Sequence, residues 1–220
     1  MMRTSLAPRP RIAILGAGHV GSVLARMMVA AGYEVFVAAS GDPARIELIA
    51  SVLMPGVKTA WAKDAVASAD IVVLAIPLHR FVALDHGMLA GKLVIDTMNY
   101  WAPTDGVQPM FENGALTSSE TVQRQLADST VVKAFNHIGY HEMEADRSAR
   151  GSAGRRALGV AADHAKAAEL VATVVDAVGY DVITVPRLRD GSAFEPGGPV
   201  FGARLTASQF RAAVATRAAA

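Results

Sequence analysis

Three glycines at the end of the first apolar run have the spacing of a phosphate-binding turn. The run at 11–15 is followed by Gly-Ala-Gly-His-Val-Gly at 16–21 and then by an amphipathic stretch to Ala31. In a G-x-G-x-x-G turn the first glycine permits the turn, the second lets the backbone approach a pyrophosphate, and the third lets the helix lie close to the sheet. The free amides of the helix would then hold the phosphates. A glycine turn without a ligand is the alternative.

The end of the next strand indicates which dinucleotide the turn would hold. Residues 34–39 are typical of a strand, and no acid stands at its tip, where NAD enzymes and methyltransferases place one for the adenosine ribose. A hydroxyl, free amides and a guanidinium suit a ribose 2′-phosphate, and Ser40, Gly41 and Arg45 could supply them. The pattern favours NADP(H) over NAD. Arg45 as a merely solvated helix residue is the alternative.

Polar residues further along do not form an acid–base set. Lys133 lies inside an apolar strand, where a structural ion pair is the alternative to catalysis. His137 and His141 are four apart, as metal ligands on one helix face would be, but Gly139 between them indicates a loop. We therefore predict no catalytic residue and no metal, and interpret His137 as a polar loop residue near a ligand.

Aromatic residues follow another strand end. Tyr100 and Trp101 come directly after Asn99 and could stack on a planar ring, with loop packing as the alternative. A cofactor pocket without acid–base residues suits hydride exchange between two cofactors, because the two rings carry the chemistry and the protein supplies orientation and water exclusion.

Continuous apolar runs alternate with helical patterns over the whole chain. This alternation predicts an α/β fold with a doubly wound, mainly parallel sheet of the Rossmann type, extended by a further β-α-β unit and a C-terminal helix. We predict a disordered tail at 1–10, a dinucleotide-binding core at 11–135, and a sheet extension with substrate-side loops at 136–220, all in one compact unit. Helices are predicted near 78–89 and from Pro43 to residue 53, the latter burying one apolar side.

Long connections locate the site. Residues 99–116 and 136–155 follow strand ends, at the edge where open α/β sheets bind ligands, and we place the active site there.

Composition excludes several classes of protein. The 220 residues are 52% hydrophobic and 19% charged with a net charge of +1, which suits a globular protein and gives no sign of a nucleic-acid or membrane surface. There is no cysteine, hence no disulfide or thiolate site. A cytoplasmic location is predicted. Phe210 and Val214 on the final helix suggest a homodimer.

Taken in order, these motifs resemble the coenzyme F420-dependent NADP oxidoreductases, a family of small Rossmann proteins. The matching segments are GAGHVG at 16–21, AIP at 75–77, TSSE at 117–120, VVKAFNHI at 131–138 and RLRDGSAFEP at 187–196. The resemblance runs from about residue 11 to 202, and its expected activity is hydride transfer between NADP(H) and the deazaflavin coenzyme F420. A flavin or ferric reductase, or a non-catalytic NADP-binding sensor module, is the alternative.

The resemblance also assigns roles. Residues 17–20 would wrap the pyrophosphate, Ser40 stands where the family commonly has arginine for the 2′-phosphate, and Asn136 would abut the paired rings. The motifs and the resemblance together predict these cofactor-binding residues: Gly16, Ala17, Gly18, His19, Val20, Gly21, Ala39, Ser40, Arg45, Ile76, Pro77 and Asn99. The predicted substrate-side residues are Asn136, His137, Ser119 and Tyr100.

Overall fold

A single sheet of eight strands forms the centre of the protein. The computed structural model describes residues 9–112 and 114–218, with side chains as far as 216. The strand order is β3-β2-β1-β4-β5-β6-β7-β8, which confirms the predicted doubly wound sheet. The strands are β1 (Ile12–Leu15), β2 (Val35–Ala38), β3 (Lys58–Thr59), β4 (Ile71–Leu74), β5 (Leu93–Asp96), β6 (Thr130–Ala134), β7 (Ala157–Ala161) and β8 (Asp181–Val185). The tail predicted at 1–10 lies outside the described residues except for its last two.

One pair of strands is antiparallel. Strands β1 to β6 pair in parallel and β7 pairs in parallel with β8, whereas β7 runs against β6. Lys133 lies opposite Ala161 and Ala134 opposite Val160, so only the end of β6 is paired. The first residues of β7 therefore project beyond the carboxyl edge of β6 and form a wall beside that edge.

Helices connect the strands and cover both faces of the sheet. They are α1 (His19–Ala30), α2 (Ala44–Leu53), α3 (Ala62–Ser68), α4 (Leu78–Phe81), α5 (Ala102–Asp105), α6 (Pro109–Glu112), α7 (Ser118–Gln125), α8 (Tyr140–Met143), α9 (Ala165–Ala177) and α10 (Ala207–Ala218), with 3₁₀ helices at His86–Leu89 and Leu188–Phe194. The helix predicted near 78–89 is thus two pieces. The second begins at His86 and is capped by Asp85, whose carboxylate accepts the Gly87 N–H at 3.1 Å.

The core has two main layers because successive strand residues point to opposite faces. Ile12 and Ile14 pack with α1, α2, α8 and α9, whereas Ala13 and Leu15 pack with α3, α4, α6 and α7. A third cluster joins β7 and β8 to α10. Every residue of β1, β4 and β7 is buried, which explains their continuous apolar sequence.

Helix α2 departs from the prediction. Leu48, Ile49, Val52 and Leu53 are 77%, 55%, 71% and 51% exposed, so the predicted burial of this side is wrong. The helix packs beside β3, the two-residue edge strand, which offers too little sheet surface to cover more than Ala50 and part of Ile46.

Helix α7 begins at a capping box, and helix α10 packs against its own chain. Thr117 and Glu120 form a reciprocal capping box at the start of α7, with the Thr117 Oγ1 accepting the Glu120 N–H at 3.2 Å. In α10, Phe210 is buried in the third cluster with Phe194. The apolar side of α10 is therefore covered by the same chain, and the homodimer stays a prediction.

Within 9–112 and 114–218, the structure contains no helix with both the length and the apolar character needed to cross a membrane.

Candidate active site

Close packing requires glycine at two positions of the turn. Gly16 has φ +119°, and a Cβ atom there would lie 2.1 Å from the Ala75 carbonyl oxygen at the end of β4. A Cβ on Gly21 would lie 1.9 Å from the Gly16 carbonyl oxygen. Both distances are far inside van der Waals contact, so side chains at these positions would push α1 away from β1 and β4.

Gly18 is different, because a Cβ there would meet nothing within 4 Å. Gly18 is also the N-cap of α1 and provides no side-chain cap. In the described part of the chain no acceptor takes the backbone N–H groups of Gly18, His19 and Val20. The open side of the turn therefore presents unpaired donors and the positive end of the helix dipole, as an anion requires.

A first cavity of about 560 Å³ lies between the turn and the ends of β2 and β4. Its walls are Leu15, Gly16, Ala17, Gly18, Ala38, Ala39, Ser40, Gly41, Ile46, Ala62, Ala75, Ile76, Pro77, Arg80, Ala83 and Leu84. Small and aliphatic residues predominate, as suits a flat aromatic base. The predicted Arg45 does not line this cavity, whereas Arg80, which sequence reasoning missed, does.

A second cavity of about 470 Å³ adjoins the first and shares Gly18 and residues 75–77 with it. Its walls are Gly18, His19, Val20, Ala75, Ile76, Pro77, Leu78, Thr97, Met98, Asn99, Trp101, Thr104, Asp105 and Tyr140. The cavity thus spans the carboxyl ends of β1, β4 and β5, where the sequence places the site.

A third cavity of about 390 Å³ continues the cleft towards β6 and shares Val20, Thr97, Asn99 and Tyr140 with the second. Its walls are Val20, Thr97, Asn99, Phe135, Asn136, His137, Ile138, Gly139, Tyr140, His141, Glu142, Phe201 and Gly202. The three cavities form one cleft along the carboxyl edge of the sheet.

Two asparagines lock the ends of β5 and β6 together beneath the cleft. The Asn99 Nδ2 donates to the Asn136 carbonyl at 2.7 Å, and the Asn136 Nδ2 donates to the Asn99 Oδ1 at 2.9 Å and to the Phe194 carbonyl at 2.7 Å. The preceding Phe135 has φ +62°, which a bulky residue adopts only where surrounding contacts enforce it. The arrangement fixes the floor shared by the second and third cavities.

An aromatic pair stands at the border of these two cavities. The rings of His19 and Tyr140 stack at 4.7 Å between centroids with 12° between planes. His19 belongs to the glycine turn and Tyr140 to the start of α8, so the pair bridges two walls of the cleft.

Lys133 is a buried structural residue. Its Nζ donates to the Met98 carbonyl at 2.7 Å and the Ser118 Oγ at 3.1 Å, and lies 3.3 Å from the Asp96 Oδ2. The predicted substrate-side Ser119 donates to Asp96 at 2.5 Å and lines none of the three cavities. This buried network ties β5, β6 and α7 together below the cleft.

His137 is also held by the fold. Its ring is 2% exposed, packs against Phe194 and Phe210, and accepts the Gly159 N–H at 3.1 Å through Nε2. Burial, with the positive charges of Arg156 and Lys133, lowers the pKa of His137 to about 3. The neutral ring therefore braces the wall formed by β7.

The remaining predicted residues separate into two sets. Tyr100 stacks on Phe111 and its hydroxyl donates to Glu112 at 2.7 Å, away from the three cavities, whereas Trp101 lines the second. The Asp105 carboxylate in that cavity accepts hydrogen bonds from the backbone N–H groups of Trp101 and His79 at 3.0 and 3.3 Å. Among the described residues, no group of three histidine or carboxylate side chains could hold a metal ion.

The strand order, the glycine turn and the cleft at the carboxyl edge define a Rossmann-type α/β protein, the fold class in which dinucleotides bind at this edge. Residues 11–100 match the family model described as NADP oxidoreductase, coenzyme F420-dependent, which confirms the resemblance over that range. No curated protein matches the chain.

Solved structures agree with this class. A hypothetical protein of Sinorhizobium meliloti is 28% identical, with a TM-score of 0.75, over 89% of this chain and 95% of that one. A candidate F420-dependent NADP reductase of Arthrobacter sp. FB24 is 27% identical, with a TM-score of 0.65, over 80% and 84%. An imine reductase of Myxococcus stipitatus shares the fold at 22% identity and a TM-score of 0.55, but the match covers 58% of that longer chain.

Proposed function

We propose that the protein transfers hydride between NADP(H) and the deazaflavin coenzyme F420. The observation that carries the proposal is the single cleft of three joined cavities that begins at the glycine turn and ends beside the carboxyl end of β6. Two large flat ligands could lie end to end in such a cleft. The family match over residues 11–100 and the Arthrobacter relative support this choice of ligands.

The residues present fit a dinucleotide. The free N–H groups at the start of α1 would hold the pyrophosphate, because the space at Gly18 is open and the helix end is positive. The adenosine half would occupy the apolar first cavity, and Ile76 and Pro77, which the first two cavities share, would separate adenosine from nicotinamide. The acceptor ring would lie in the third cavity over Asn99 and Asn136.

The two carboxylates that line the second and third cavities are held by the fold. Asp105 accepts two backbone N–H groups and lies 3.2 Å from the His79 Nδ1, and Glu142 lies 3.0 Å from the Arg156 Nη1. The bound dihydronicotinamide would supply the hydride, and one proton from solvent would complete reduction of the deazaflavin. Such a reaction needs the two rings close together with no water between them, which a cleft that holds both ligands would provide.

Turnover assays test the proposal. Purified protein is mixed with NADPH and oxidised F420, and loss of the deazaflavin absorbance is followed. A Gly18→Val variant, whose side chain would fill the approach to the helix amides, separates activity of this protein from that of a contaminating reductase. The expected result is turnover that is lost in the variant.

Other outcomes would identify the alternatives. Turnover with FMN or a ferric chelate and none with F420 would indicate a general flavin or ferric reductase. NADPH binding without turnover of any acceptor would indicate a non-catalytic module. Both outcomes contradict the proposed acceptor. The cytoplasmic location and the homodimer stay predictions.

A further inference from the structure

The first cavity contains two polar side chains among its described walls, Ser40 and Arg80. Ser40 follows β2, and Arg80 lies in α4 after the end of β4, so the two residues reach the same cavity from the two sides of β1. Every other described wall residue is glycine, alanine, proline or a larger aliphatic residue. Polar recognition in this cavity therefore depends on these two residues and on the backbone.

Arg80 is free to bind an anion. Its side chain is exposed and takes part in no hydrogen bond or ion pair with any residue in the described ranges. An arginine without a carboxylate partner beside an apolar cavity is a ready donor for phosphate, because its planar fork can donate two parallel hydrogen bonds.

The charged residues near β2 do not serve this cavity. Arg45 is exposed on α2 and is absent from its walls. Asp42, the acid that follows Ser40 in sequence, is also outside the walls, and its Oδ1 accepts the Ala44 N–H at 2.9 Å at the start of α2. Hence no carboxylate in the wall would bind a ribose diol or repel a phosphate.

We infer that Arg80 selects NADP(H) over NAD(H) by binding the ribose 2′-phosphate, with the Ser40 hydroxyl as a second donor. The inference rests on the proposed function, because it requires that the first cavity holds the adenosine half. It places the selecting charge after β4 instead of at the tip of β2, where Ser40 stands. The alternative role for Arg80 is stacking of its guanidinium on the adenine ring, which would favour both dinucleotides equally.

Binding measurements separate these roles without enzymatic turnover. Calorimetry with 2′,5′-ADP and with AMP is carried out on the unaltered protein and on Arg80→Ala, Arg80→Lys and Arg45→Ala. We expect Arg80→Ala to weaken the binding of 2′,5′-ADP about 10- to 100-fold, the range for losing a charged hydrogen-bonded partner, and to leave the binding of AMP unchanged. Arg80→Lys should weaken the binding of 2′,5′-ADP less, because the positive charge remains although the planar fork is lost. Arg124→Ala, an exposed arginine outside all three cavities, is the matched control.

The results distinguish failure of the inference from failure of the proposed function. Equal weakening of both nucleotides by Arg80→Ala would show stacking and overturn the inference. A larger loss of 2′,5′-ADP affinity in Arg45→Ala than in Arg80→Ala would assign binding of the 2′-phosphate to Arg45, the residue predicted from the sequence. If the unaltered protein binds neither nucleotide nor NADPH, the proposed function itself is refuted.

Discussion

The same substitution at two glycines of the turn should have opposite consequences. Gly21→Ala places a methyl group 1.9 Å from the Gly16 carbonyl oxygen, so α1 must move from β1. Overpacking of this kind costs about 1–3 kcal/mol. For a chain of this length that corresponds to a fall of roughly 2–12 °C in Tm, at about 2–4 °C per kcal/mol.

Gly18→Ala should leave the fold almost unchanged. The methyl group meets nothing within 4 Å, and φ −79°, ψ −167° is extended backbone that alanine adopts. Reduced freedom of the unfolded chain favours alanine by about 0.4–1 kcal/mol. Poorer N-capping by alanine than by glycine opposes this by a similar amount, about 0.5–1 kcal/mol. The two effects nearly cancel, and Tm should stay within about 4 °C.

Gly18→Ala, which should leave the stability of the fold unchanged, should weaken nucleotide binding. In Gly18→Ala the methyl group occupies the space through which a pyrophosphate would reach the helix amides. Losing one such charged hydrogen bond costs about 1.5–3 kcal/mol, or roughly a 10- to 100-fold loss of NADPH affinity. Thermal unfolding and fluorescence titration with NADPH measure both effects on the same samples. A stable Gly18→Ala protein with unaltered NADPH affinity would refute the placement of the pyrophosphate.

Two further predictions concern the buried polar residues below the cleft. His137 has a pKa of about 3, below the 6.5 of a free histidine, so the unfolded chain takes up the proton first as the pH falls. The free energy of unfolding should therefore decrease by about 1.4 kcal/mol per pH unit from about pH 6 downwards. His137→Gln, which keeps an acceptor for the Gly159 N–H, should lose this dependence in urea unfolding between pH 7.5 and 5. Parallel pH dependences for the two proteins would contradict the buried neutral ring. Lys133→Met leaves the Asp96 carboxylate buried without its cation and should cost about 3–5 kcal/mol in the same assay, with partial recovery on adding Asp96→Asn. An unchanged urea midpoint in Lys133→Met would show that the network carries little stability.

Much of the fold follows from sequence because the apolar runs are long and the breaks are clear. The buried strands β1, β4 and β7 read as continuous apolar segments, and Gly32 and Gly179 mark helix ends with φ +84° and +116°. The antiparallel direction of β7 does not follow, since a strand buried on both faces has the same composition in either direction. Its direction depends on where the 136–155 connection leads.

The site was predictable to a smaller extent. The spacing of Gly16, Gly18 and Gly21 identifies the turn because each position has a distinct steric need. Whether Arg45 or Arg80 lines the first cavity depends on which loop folds over that cavity, and the spacing of residues in the sequence does not indicate this. A cation soon after the end of an apolar strand is the signal that would have pointed to Arg80.

The third cavity is built from two separate parts of the chain, and this has a consequence for how the molecule could diversify. The family match ends at residue 100, whereas Asn136 and Gly202 of the third cavity come from the segment that follows. Under the proposed function, donor recognition rests on residues before 100, whereas acceptor recognition also draws on residues 135–142 and 201–202. Grafting residues 136–205 from a relative should transplant a new acceptor preference onto an untouched nucleotide half, provided that the Asn99–Asn136 seam is retained.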